Sequence, residues 1–135
     1  MKHTLLSTLA ASLVLAFCAA LMVGCHRGEA EKAGRVAQIA YERLFKGKAE
    51  ALVDVTYHNG AIPDGYREQL LLQARQFIEQ QDSLHQGVTK VVLLRTELDA
   101  EKQTAIAFLQ FDFGDKMSEE VAVPMIKSDD KWYLQ

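Results

Sequence analysis

Asp54 and His58 stand four residues apart in "DVTYH". On a helix that spacing puts a carboxylate and an imidazole on one face, close enough to share a proton. Such a pair can act as acid and base. The pattern is not specific, because many helix ends carry Asp and His at this interval. Three further groups carry reactive chemistry. Cys18 lies in an apolar run, and Cys25 directly follows Gly24. A thiolate is a nucleophile, so Cys25 has three possible roles: a buried thiol, half of a disulfide, or a modified residue. His26 sits in a polar stretch. His85 lies in "DSLHQG", where a cation suits the end of a helix. Three scattered histidines make a poor metal site, so no metal is expected. No Ser-His-Asp order and no phosphate-cradling glycine loop is visible, so no cofactor is expected either.

The elements that must position these groups follow from the periodicity. The 135 residues suffice for one domain with its own core, and apolar content of 49% with 24% charged matches a globular chain. A formal charge of -3 with both signs dispersed argues against a nucleic-acid partner. Ala33, Val36, Ala37, Ala40, Tyr41 and Leu44 form one apolar stripe at three- and four-residue spacing, with Phe45 at its edge. Gly47 supplies the stop. A short helix fits "KAEALVDVTY", with Ala49, Leu52, Val53 and Thr56 on one face. "HNGAIPDG" is turn chemistry, and Asp64 is the expected N-cap of a third helix over 65–84. Its stripe is Tyr66, Leu70, Leu71, Ala74, Phe77 and Ile78, and Gly87 ends it.

After Gly87 the period falls to two. "VTKVVLLRTEL", "QTAIAFLQFDF", "SEEVAVPMI" and "WYLQ" read as four strands joined by the turns "LDAEK", "GDKM" and "KSDDK". The second has Ala105, Ala107, Leu109, Phe111 and Phe113 on one face. Its other face is also partly apolar, which predicts a central strand. Pro124 predicts an edge or a bulge in the third. Helices followed by a four-stranded antiparallel meander make an α+β fold.

The N-terminus has a different character. Lys2 is followed by an apolar run from Leu5 to Val23, broken only by Ser7, Thr8 and Ser12. A basic start and an apolar stretch ending in a small residue read as a secretory signal. The run also approaches the length of a membrane-spanning helix, so an uncleaved anchor is the rival. The stretch "LMVGC", residues 21–25, resembles the lipobox of bacterial lipoproteins. Met22 stands where that family prefers Leu. The resemblance implies cleavage between Gly24 and Cys25 and lipid attachment on the Cys25 sulfur. The domain would then hang from a membrane through acyl chains. His26 after the cysteine, in place of Asp, implies the outer membrane facing the periplasm where a host has two membranes. The implied organisation is a signal peptide over 1–24, a lipidated tether over 25–31 and one domain over 32–135.

"AYERLFKGKAEALVDV" (40–55) and "KSDDKWYL" (127–134) resemble small lipoproteins with a cystatin-like, or nuclear-transport-factor-2-like, roll. The likeness spans roughly residues 30–135. It implies helices packed in the curve of the sheet, with Trp132 plugging the sheet end against the first helix. It also implies a concave face able to hold a small apolar ligand or a peptide. Tyr41, Phe45, Tyr57, Phe108 and Trp132 are the candidates for its lining, although core filling is the more ordinary role for each. Relatives of this fold often dimerise through the sheet. Some are isomerase- or dehydratase-type enzymes, and Asp54 with His58 would be the pair serving such a reaction here. Three functions remain open: a non-catalytic binding module, a pocketless module docking an envelope protein, and a small enzyme.

Overall fold

A computed structural model describes residues 27–135. The signal at 1–24, the Gly24–Cys25 junction and His26 lie outside the described residues. Helix α1 occupies residues 27–45, α2 Ala49–Asp54 and α3 Asp64–His85. Strands β1 (Val88–Asp99), β2 (Thr104–Phe113), β3 (Ser118–Ser128) and β4 (Lys131–Leu134) follow. They form one antiparallel sheet in the order β1-β2-β3-β4, with the helices on one face. The fold is α+β. No helix among the described residues is long and apolar enough to cross a membrane.

Strand parity builds the core. Ala105, Ala107, Leu109, Phe111 and Phe113 of β2 are all buried, and their neighbours across the ladders are Val91, Val123 and Met125. Ala33, Ala37, Ala40 and Leu44 of α1 are also buried, three of them small enough to bring the helix close to the sheet. Gly34 brings it closer still. A Cβ at Gly34 would run into Thr96 Oγ1 and the Leu93 methyls, which leaves no room for any other residue there without displacement. Gln38 Nε2 then donates to the Val91 carbonyl at 3.3 Å, capping the edge of β1 from the helix.

β2 is central, as its two-faced pattern predicts. Pro124 sits on an inner strand, but at a local edge. β4 pairs only with Met125–Ser128, and the Pro124 carbonyl faces that side, accepting the Gln135 N–H at 3.0 Å. The proline's missing N–H points the same way and removes no bond to β2.

Three boundaries differ from the sequence reading. α1 already includes residues 27–31, placed above in the tether. α2 stops at Asp54 rather than running to Tyr57. Thr56 instead bridges Leu134 in parallel, with Tyr57 N–H donating to Leu134 O at 2.6 Å and Leu134 N–H to Val55 O at 2.7 Å. Asp64 is the first residue of α3 and makes no side-chain cap. Pro63, extended at φ -60° and ψ 142°, holds the N-cap position.

Candidate functional site

An open apolar recess lies between α1 and β4. α1 carries a second stripe, Lys32, Arg35, Val36 and Ile39, beside the one it buries on the sheet. Facing it is the β3–β4 hairpin. Asp129 and Asp130 form its two-residue loop with φ of 50° and 61°, both in the left-handed region that a tight twisted turn requires. That turn directs Asp130, Lys131 and Trp132 toward α1, and Val55 closes the floor. The groove encloses about 450 Å³, inside the range of small-molecule sites. Its floor is Val36, Ile39, Val55 and Trp132. Its rim holds three cations, Lys32, Arg35 and Lys131, against one acid, Asp130. Among the described residues, Arg35 and Lys131 have no ion-pair partner.

One carboxylate fixes the groove's end. Glu29 Oε2 accepts from Lys127 Nζ at 2.9 Å and from Trp132 Nε1 at 3.1 Å. The Lys127 bond, then the Trp132 bond, holds the Glu29 carboxyl below its ordinary range. The same pairing raises Lys127. Trp132 is buried and ties the last strand to the start of α1, the plugging role expected of it.

Asp54 and His58 border one shallow depression of about 240 Å³, with Tyr57, Ser128 and Tyr133. They do not form the helical pair expected, because α2 ends at Asp54. The Asp54 carboxylate accepts from Arg67 Nη1 at 2.7 Å instead. The His58 ring stands edge-on to Tyr66 with centroids 6.0 Å apart, and its Nε2 is buried with no hydrogen-bond partner. His85, the last residue of α3, pairs through Nδ1 with Asp115 Oδ2 at 3.0 Å and stacks on Phe113 at 4.1 Å. No group of three metal-ligating side chains gathers among the described residues.

The five aromatics expected to line one pocket go to four places. Tyr41 and Phe45 join Phe77 and Phe111 in a core cluster, with centroids 5.1 to 6.3 Å apart. Burial raises the Tyr41 phenol. Beside it a cleft of about 260 Å³, lined by Leu52, Leu70 and Phe77, falls below the usual volume for a whole ligand. Tyr57 meets Tyr133 edge-on at 6.2 Å on the rim of the Asp54 depression. Phe108 faces away from the helices, because even-numbered residues of β2 point outward. The Arg95 guanidinium lies 3.9 Å over its ring and bonds Glu120 at 2.9 Å. Only Trp132 reaches the α1–β4 groove. Glu29, Arg35 and Lys131 escape the sequence reading. Lys32, Arg35, Val36 and Ile39 recur at helical spacing, and that second stripe could have exposed Arg35 but not Lys131, which lies on β4.

No protein-family model matches the chain, and no curated protein matches it. Solved structures do. One is the crystal structure of a candidate NTF2-like transpeptidase from Campylobacter jejuni. It superposes with a TM-score of 0.60 at 14% identity, over 74% of this chain and 94% of that one. At that identity the likeness concerns the fold, which is NTF2-like.

Proposed function

We propose that this chain is a bacterial envelope lipoprotein acylated on Cys25, and that its roll is a non-catalytic ligand- or peptide-binding module. "LMVGC" supports the anchor, with cleavage after Gly24 and the domain facing the periplasm. One observation carries the binding role: α1, which begins at residue 27, walls the 450 Å³ apolar groove with Lys32, Arg35, Val36 and Ile39. Catalysis finds less support. Asp54 is engaged by Arg67 and the His58 ring stands against Tyr66, so the two do not form the acid–base pair that the reaction would need. The fold neighbour's name describes that protein. In this chain both cysteines precede residue 27, so the roll carries no thiol nucleophile.

A docking module is the second reading. The outer sheet face leaves Ile106 38% exposed beside Phe108, and among the described residues no strand pairs with the far side of residues 118–123 of β3. A homodimer through this face is one form of it.

Native mass spectrometry of the protein extracted from its own membranes tests both readings. The expected species is residues 25–135 plus acyl chains, carrying a further mass that leaves on denaturation. A full-length unmodified chain would overturn the lipid anchor. An acylated chain that flies only with a protein partner would favour docking.

A further inference from the structure

We propose that the α1–β4 groove binds an anionic phospholipid of the membrane in which the protein is anchored. The inference rests on the lipoprotein reading and names the ligand class of its groove. Arg27 lies two residues beyond Cys25, and an extended chain covers at most about 7 Å in that interval. Lys32 lies five residues further along α1, about 8 Å at helical rise, and Ile39 about 18 Å. The polar layer on each side of a bilayer is some 5 to 7 Å deep. An anchor at Cys25 therefore holds the near end of the groove at or just above the headgroups. Among the residues lining the groove, Lys32, Arg35 and Lys131 outnumber the one acid, Asp130, so the rim favours a phosphate over a neutral or cationic group. Arg35 and Lys131 are not engaged by any acid among the described residues, and only Glu29, 3.6 Å away and already bonded to Lys127, approaches Lys32. Val36, Ile39, Val55 and Trp132 line the same groove and offer an apolar surface beside those cations. An anionic phospholipid presents the matching order: a charged phosphate followed by glycerol and methylenes. Long cationic side chains suit the task, because their stems cover apolar surface while their heads stay with the phosphate.

Trp132 is the only tryptophan of the chain and forms part of the floor, so the groove carries its own probe. The experiment reconstitutes the full membrane-extracted protein into bilayers of phosphatidylcholine containing phosphatidylglycerol. Either lipid is brominated near the glycerol end of its acyl chains, and Trp132 emission is read. Phosphatidylglycerol is expected to quench several-fold more than phosphatidylcholine at equal bromine content. Arg35→Glu with Lys131→Glu should abolish that preference, lowering the fitted affinity at least about tenfold, since each cation at such a surface contributes about fivefold. Both positions are at the exposed rim, and an unchanged thermal transition shows that the variant is folded. Equal quenching by the two lipids, or a preference that survives charge reversal, overturns the proposal. The mass of the same preparation separates the premises. An unmodified chain overturns the anchor, whereas an acylated chain with no anionic preference overturns only the groove's ligand. Quenching is read on whichever species the bilayer holds.

Discussion

Trp132 Nε1 donates to Glu29 Oε2 at 3.1 Å, joining residues 103 apart in the chain. Lys127 Nζ shares that oxygen at 2.9 Å. The Lys127 bond is the larger cause holding the Glu29 carboxyl down, and the Trp132 bond the second. A carboxyl lowered in the folded state stabilises the fold above its unfolded pKa, and that contribution is lost as pH falls through the folded value. Glu29→Gln should therefore flatten the acid side of a melting-temperature-against-pH curve. It should also shift Trp132 emission to the red. An acid limb identical to that of the parent would count against this clasp.

Gly34 sets the distance between α1 and β1. Gly34→Val places a branched side chain against Thr96 and Leu93. Overpacking of this kind costs about 1 to 3 kcal/mol, to be read by urea denaturation. Adding Leu93→Ala should recover part of the loss by opening space. A Gly34→Val protein as stable as the parent would show that the helix does not cross so closely.

Leu109 and Phe108 are adjacent in sequence and opposite in environment. Leu109 is fully buried, and its truncation to Ala should cost about 2 to 5 kcal/mol. Phe108 is half-buried on the outer face under Arg95. Phe108→Ala should cost about 1 kcal/mol, chiefly the exposed cation–π contact and partial burial. Chemical denaturation of the two variants ranks them, and the reverse order would invert the sheet's faces.

Asp115 is held below the ordinary carboxylate range by the Met117 N–H first and by His85 second. The lowered value again stabilises the fold above the unfolded pKa and is lost on acidification. Asp115→Asn should be less stable than the parent near neutrality, with the difference closing as pH falls. A constant gap across the titration would mean that the charge is not what matters.

Tyr41 differs in kind, since burial raises its phenol. Ultraviolet absorbance titration should show one component ionising above the ordinary tyrosine range, and Tyr41→Phe should remove it. The fold then loses stability as pH rises from the unfolded value through the folded one. A titration unchanged by Tyr41→Phe would refute the assignment.

Much of this fold is legible where a local pattern and a tertiary role coincide. The alternation in β2 names five buried residues, the small residues of α1 name its sheet-facing stripe, and Pro124 marks a local edge. The failures share a cause. Residues 27–31 precede the apolar stripe and include Gly28, so the apolar periodicity does not reach them, although Glu29, Ala30 and Glu31 are good helix formers; Glu29 there is held by Lys127 and Trp132 from the far end of the chain. Val55 to Tyr57 continue a helical pattern, but the Leu134 backbone takes the Val55 carbonyl and the Tyr57 N–H. An aromatic's type says that it avoids water without saying which surface covers it, so Phe108 and Tyr41 read alike. The groove joins residues 32–39 to 130–132, and no window of sequence contains both walls.

The bond between Glu29 and Trp132 also has a mechanical consequence. A pull applied at residue 27 enters α1 through its first turn. Glu29 passes that load sideways into β3 at Lys127 and β4 at Trp132 before Ala33 can lift from the sheet. Unpeeling the first helix from that end therefore requires the bonds to Lys127 and Trp132 to break first, so the load is shared with the closing hairpin.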